Sequence, residues 1–245
     1  MPARRERLLV LGGTAEAAAL VRRLARERPD LEIVVSFAGR LRDLPELPAR
    51  TRIGGFGGAE GLARYLREAG IDRVVDATHP FAAQISAHAE VACAEAGVPL
   101  ERLERPMWRR RPGDRWLWAD DMAMAARLAW RLGRRILLTV GTRELEAFAA
   151  RGGPFYVVRQ VEPPRRRLPF PRHAVVVGRG PFSVADETAL LRRFAVDLVV
   201  SKASGGGATE AKIVAARRLG IPVLLVRRPT VQRHPAQRHP AQRHP

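Results

Sequence analysis

Short runs of Leu, Ile and Val alternate along the chain with longer stretches in which apolar positions recur every three or four residues. Leu8–Leu11 is apolar throughout, the pattern of a strand buried on both faces, and the helical pattern over Glu16–Arg28 that follows it is ended by Pro29. By the same reading, strands are predicted at Leu31–Phe37, Arg73–Ala77, Trp116–Trp118, Arg135–Val140, Phe155–Val161, Ala174–Val177, Asp197–Ser201 and Val223–Val226. Helices are predicted at Glu60–Ala69, Phe81–Ala96, Asp120–Leu132, Arg143–Ala150, Ser183–Phe194 and Glu210–Leu219. Gly70, Gly97 and Gly152 stand just past three of them, as helix stops do.

Strands alternating with helices of about ten residues or more indicate βαβ units. The expected class is therefore α/β, with two Rossmann-like domains whose parallel sheets are flanked by helices. Pro106–Pro112, carrying Trp108 and three arginines, breaks the rhythm. It divides the chain into residues 1–110 and 111–230, with the active site expected in the cleft between them. Residues 231–245 repeat a Gln-Arg-His-Pro unit three times. A proline at every fifth position forbids a helix, so this stretch reads as a disordered tail. No metal site is expected, the tail histidines His234, His239 and His244 included.

Charge narrows the chemistry. The 43 Lys and Arg against 25 Asp and Glu give a net charge of +18, which invites nucleic acid, an anionic membrane or a polyanionic small molecule. The arginines are spread over the whole chain with no long basic block, which favours a compositional bias plus an anionic ligand over a nucleic-acid binder. No apolar run reaches the roughly 18 residues of a membrane span. The apolar stretch near the start ends at Gly12-Gly13, too short for a signal peptide. A lone cysteine, Cys93, excludes an internal disulfide framework and fits a reducing cytoplasm.

The candidate chemistry lies in glycine-rich turns at predicted strand ends. Gly12, Gly13, Thr14, Ala15 and Glu16 join the first strand to the first helix. This is a dinucleotide-binding turn or an ordinary βα turn, since the full G-x-G-x-x-G pattern is missing. Where NAD-binding units place an acid after the second strand, this chain has Ser36 and Arg40, which suit the 2′-phosphate of NADPH. Arg40 is equally one arginine among many. Gly54-Gly55-Phe56-Gly57-Gly58 packs four glycines around one aromatic, and Gly55 and Gly58 join the cofactor candidates. Thr78, His79 and Pro80 follow the third predicted strand. His79 is the candidate catalytic residue, as donor of a proton or a hydrogen bond, or else shapes its loop. In the second half, Ser201, Lys202, Ser204, Gly205 and Gly206 lie between a strand and a helix, where N–H groups can cradle an anion. Lys202 stands out because lysine occurs only there and at 212. Thr142 and Arg143 end a neighbouring strand in the same way.

Seven segments in order resemble the precorrin-6A reductase family of cobalamin biosynthesis: Gly12-Gly13-Thr14-x-Glu16, Gly54-Gly55-Phe56-Gly57-Gly58, Asp76-Ala77-Thr78-His79-Pro80-Phe81-Ala82, Arg105-Pro106-x-Trp108, Gly180-Pro181-Phe182-Ser183, Ser201-Lys202-x-Ser204-Gly205-Gly206 and Arg228-Pro229. Ala203 departs from the polar or acidic residue expected there. The resemblance implies NADPH-dependent reduction of the tetrapyrrole precorrin-6A, or its cobalt form, to precorrin-6B. It also implies hand-over of substrate between enzymes of that pathway. Several carboxylates on the macrocycle would supply the polyanion that the charge balance calls for, with Arg105, Trp108, Thr142, Arg143, Ser201, Lys202, Ser204, Gly205 and Gly206 as its binding residues. Among rivals, short-chain reductases need Tyr-x-x-x-Lys, but Tyr65 and Tyr156 are followed by Ala69 and Gln160. A non-catalytic, nucleic-acid-binding α/β protein is the other alternative.

Overall fold

The computed structural model describes residues 4–39, 44–149 and 153–229. Two parallel sheets take up the eleven strands found among them. The first contains β1 (Arg7–Leu11), β2 (Glu32–Phe37), β3 (Arg50–Ile53), β4 (Arg73–Asp76) and β5 (Leu100–Arg102), in the order β3-β2-β1-β4-β5. Its strands alternate between two apolar layers. Leu8, Val10, Ile33 and Val35 face helix α1 (Ala15–Glu27), while Leu9, Leu11, Val34 and Val74 face α2 (Gly58–Glu68) and α3 (Ala83–Ala96). Leu8, Leu9 and Val10 have no exposed surface. Burial of this completeness contributes roughly 1.5–3 kcal/mol per side chain, which is why β1 forms the centre of the sheet.

The second sheet contains β6 (Trp116–Ala119), β7 (Arg135–Thr139), β8 (Phe155–Gln160), β9 (His173–Val177), β10 (Leu198–Lys202) and β11 (Val223–Val226), in the order β6-β11-β10-β7-β8-β9. Ile136, Leu138, Val200 and Leu224 face α4 (Met122–Leu132). Leu137, Val199, Val223 and Leu225 face α5 (Val184–Arg193) and α6 (Ala211–Arg218).

The sequence pattern misses β3 and β5. Both are edge strands, three of the four β3 residues are exposed, and β5 is three residues long. Main-chain pairing holds them, and it leaves no apolar run to read. The helix predicted over Arg143–Ala150 is a 3₁₀ helix over Thr142–Phe148, with Ala150 outside the described residues. Its buried residues, Leu145 and Phe148, lie three apart, which matches three residues per turn.

The strand orders locate the ligand edge. In the first sheet the chain leaves β1 to one side and β4 to the other. In the second it does so at β7 and β10. A crevice opens at such a reversal beyond the carboxyl ends of the strands. The Gly12–Glu16, Thr78–Pro80 and Thr142–Arg143 segments follow β1, β4 and β7, and Ser201–Gly206 closes β10 and runs beyond it.

Candidate active site

The turn after β1 lies hard against β2. Gly12 donates its N–H to the Ser36 carbonyl at 2.9 Å, and a Cβ at this position would lie 3.0 Å from Val35 Cγ1. Thr14 caps α1: its hydroxyl accepts from the Ala17 N–H at 3.0 Å and donates to the Ala77 carbonyl at 2.9 Å. One side chain thus ties the β1 turn to the β4 turn. Ala15 and Glu16 open the helix, where unpaired N–H groups and the positive end of the dipole suit an anion. Ser36, buried at the end of β2, is paired in register with Arg52 of β3. The Arg52 guanidinium donates to the Gly54 and Gly55 carbonyls at 2.7 and 2.9 Å, reaches Ser36 Oγ at 3.5 Å and stacks 3.8 Å from the Phe56 ring centre. Gly58 begins α2 beside it. Arg40 lies outside the described residues.

Asp76 anchors the turn after β4. Its buried carboxylate accepts from Thr78 N–H at 3.1 Å, Thr78 Oγ1 at 2.6 Å and Ser86 Oγ at 2.5 Å, with Arg102 Nε 3.4 Å away. His79 and Pro80 follow, held above the sheet edge. The Phe81 N–H donates to His79 Nδ1 at 3.2 Å, which assigns the proton of a neutral ring to Nε2. Burial, and then the nearby cations Arg105, Lys202, Lys212 and Arg228, push the imidazole down to about 3. The ring is therefore neutral at pH 7 and is equipped to donate a hydrogen bond rather than to act as an acid.

Stability depends on pH through this group. An unfolded chain, with His79 near 6.5, binds a proton that the folded chain refuses. The stability present above about pH 6.5 is therefore lost progressively as pH falls toward 3. His79→Gln is expected to flatten that dependence, read as the urea midpoint at several pH values between about 7 and 4. Parallel curves for the two proteins would refute the depressed imidazole.

In the second half, Lys202 ends β10 and forms an ion pair with Glu144 of the 3₁₀ turn after β7. Its ammonium also sits 5.3 Å from the ring centre of Phe81, which belongs to the β4 turn. Ser201 and Ser204 are buried, with Ser201 Oγ donating to the Lys202 carbonyl at 3.2 Å and Ser204 Oγ 3.4 Å from Thr209 Oγ1. Thr142 donates to Gln160 Oε1 at 3.0 Å, and Arg143 is exposed. The halves meet at these edges. Arg105 pairs with Glu16 at 2.6 Å, and a Cβ on Gly206 would lie 2.9 Å from Glu16 Oε1.

Two expectations change. Arg105, expected to receive substrate carboxylates, is only 7% exposed, and its guanidinium ties the connecting segment to Glu16. Trp108, expected to offer a flat face to the macrocycle, is equally buried in the second core and donates its indole N–H to the Gly206 carbonyl at 3.0 Å. An indole packed in this way has no open face for a ring to stack on. Ala203, the departure from the family pattern, is 1% exposed in the same core, so no side chain reaches the crevice from there. Arg52, which opens the glycine segment, and Glu144 were not expected as site residues. Arg52 needed the unseen strand β3 to bring it beside Ser36, and Glu144 needed β7 and β10 to be neighbours.

The family model described as precorrin-6x reductase CbiJ/CobK matches residues 7–242. The chain is 52% identical over 224 residues to the precorrin-6A reductase of Rhodococcus erythropolis, covering 91% of this chain and 89% of that protein. It is 30% identical over 231 residues to the cobalt-precorrin-6A reductase of Salmonella typhimurium, covering 91% and 88%. Among solved structures, one titled CobK precorrin-6A reductase superposes with a TM-score of 0.89 at 46% identity, covering 94% of this chain and 90% of that one. A match spanning nearly the whole chain, together with two parallel sheets opposed at their reversal points, places this chain in the precorrin-6x reductase family.

Proposed function

We propose that the protein reduces metal-free precorrin-6A to precorrin-6B in cobalamin biosynthesis, with NADPH as donor. In this reading residues 1–110 hold the cofactor and residues 111–230 the macrocycle. The observation that carries it is the pair of facing strand edges, with Glu16 and Arg105 between them and Lys202 against Phe81. The metal-free substrate is favoured by the 52% identity to a precorrin-6A reductase, against 30% to a cobalt-precorrin-6A reductase. Among the described residues no helix is long and apolar enough to cross a membrane, and the free Cys93 is buried, which accords with a place in the cytoplasm.

The first-sheet residues fit a dinucleotide. Gly12 lets the turn pack against β2, Gly13 adopts a φ of +109° with open space around it, and α1 presents its N-terminus there. Arg105 Nε is buried without a hydrogen-bond partner among the described residues, while its Nη2 holds Glu16 Oε2. Gly12 to Glu16 would hold the pyrophosphate, and Ser36, Arg52 and Arg40 the 2′-phosphate. Gly55 and Gly58 would line that end, and Thr78, His79 and Pro80 the nicotinamide end. When bound, NADPH supplies a hydride. The chain's part is to orient the two reactants and to offset the negative charge of substrate carboxylates with Lys202, Arg143 and the N–H groups of Gly205 and Gly207. His79 donates a hydrogen bond from Nε2.

Cofactor choice tests the first-sheet assignment. A charge-assisted hydrogen bond contributes roughly 1.5–3 kcal/mol, so Arg52→Ala and Arg40→Ala should each weaken NADPH about tenfold or more. NADH binding should stay nearly unchanged, since it lacks the 2′-phosphate. Fluorescence titration with both nucleotides provides the check, and equal losses for the two would reject the assignment.

A further inference from the structure

The loop between β10 and α6 has its carbonyls held by donors from elsewhere in the fold. Arg228, just after β11, donates from Nε to the Ala203 carbonyl at 2.9 Å. Its Nη2 donates to the Ser204 carbonyl at 2.9 Å and to the Arg105 carbonyl at 3.0 Å. Thr209 Oγ1 donates to the Gly205 carbonyl at 2.7 Å, and the Trp108 indole donates to the Gly206 carbonyl. Lys212, only 7% exposed, donates to the Thr209 carbonyl at 2.8 Å, with its ammonium 5.3 Å from the Trp108 ring centre.

The geometry of the peptide unit converts this into a statement about donors. In a trans peptide the C=O and N–H point in opposite directions. With the Ser204 carbonyl turned to Arg228, the Gly205 N–H of the same unit points away from Arg228. With the Gly206 carbonyl turned to Trp108, the Gly207 N–H points away from Trp108. Neither N–H has an acceptor among the described residues. Between them the Gly206 N–H donates to the Pro106 carbonyl at 3.1 Å, and Gly205 and Gly206 have φ of +63° and +76°, a conformation that side chains resist.

We infer that Arg228 and Lys212 are positioning residues for substrate binding: Arg228 holds the Ser204 carbonyl and Lys212 backs the Trp108 indole that holds the Gly206 carbonyl, so that the Gly205 and Gly207 N–H groups are oriented to receive a macrocycle carboxylate. This rests on the assignment of the loop to the substrate. Arg228 carries the larger share, because its planar fork spans three carbonyls and also fixes the segment bearing Arg105. An ammonium at the same place has neither the fork nor the reach.

The test is steady-state kinetics with precorrin-6A, alongside NADPH binding and melting temperature. Arg228→Ala and Arg228→Lys should both raise KM for precorrin-6A about tenfold, with the NADPH dissociation constant within about twofold of the parent. Lys212→Met should raise KM less, and it serves if the Arg228 variants do not fold. A merely structural role would lower the melting temperature and the active fraction while leaving KM in place, and that pattern would overturn the inference. Gly207→Pro separates the inference from the assignment beneath it. Proline there deletes one N–H at the first position of a short 3₁₀ turn, and nothing lies within 4 Å of the added Cβ. If Gly207→Pro leaves KM unchanged, the loop does not bind substrate. If it raises KM while Arg228→Ala and Lys212→Met do not, the loop binds but the two cations do not position it.

Discussion

Glu187→Ala is expected to destabilise the protein by about 3–5 kcal/mol, the cost of leaving one partner of a buried pair alone. Glu187 is 2% exposed and accepts both guanidinium N–H groups of Arg159, at 2.6 and 2.7 Å. The Arg159 side chain is 11% exposed and stacks 4.4 Å from the Phe182 ring centre. Without the carboxylate, a desolvated cation remains between β8 and α5, close enough to Lys212 to repel it. Burial, opposed by Glu187 and aided by that same repulsion, already lowers Lys212 to about 8. At roughly 2–4 °C per kcal/mol for a chain of this size, the melting temperature should fall by roughly 6–20 °C. Replacing both partners, Arg159→Met with Glu187→Leu, should recover most of the loss, since apolar residues of similar volume need no partner. A Glu187→Ala protein within about 1 kcal/mol of the parent would show that water reaches the pair.

Lys202→Ala should have the largest effect on substrate binding. The side chain stands at the end of β10, with Glu144 as its ion-pair partner. Truncation removes the cation and exposes an unmasked carboxylate to an anionic macrocycle, so attraction is replaced by repulsion. KM for precorrin-6A is expected to rise at least about tenfold, the weight of one charge-assisted contact. NADPH affinity should hold. Adding Glu144→Gln to the same chain should recover part of the loss, because the repelling charge is then gone. A fall in kcat with KM intact would make Lys202 a proton donor, and a loss of NADPH affinity alone would reverse the roles of the two halves.

The interior of the fold was largely legible from the sequence. Leu8–Leu11, Arg135–Val140, Asp197–Ser201 and Val223–Val226 read as strands because a parallel sheet covered on both faces needs apolar side chains at successive positions. Edge strands have no such requirement, and Arg50–Ile53 shows none of the pattern. The turns were legible too, since glycines and a hydroxyl cap at strand ends have few other uses. What each side chain does there was less so. Arg105 and Trp108 looked like ligand contacts because a charge and an indole beside prolines resemble a surface. Their burial depends on Glu16 and Gly206, which lie 89 residues before and 98 residues after them. Pairings across such separations are settled by packing, and local pattern carries no trace of them.

The Glu16–Arg105 pair also has a thermodynamic consequence. Glu16 lies in the first turn of α1, and Arg105 lies on the segment whose backbone Arg228 fixes to the loop after β10. On the proposed assignment, a phosphate arriving at that helix end competes with Glu16 for one guanidinium, and a shift of that guanidinium would be felt at the loop. Linkage is reciprocal: whatever free energy NADPH adds to macrocycle binding through this arginine, the macrocycle must return in full to NADPH. Cofactor affinity measured with and without the tetrapyrrole therefore reads the coupling free energy between the two sites.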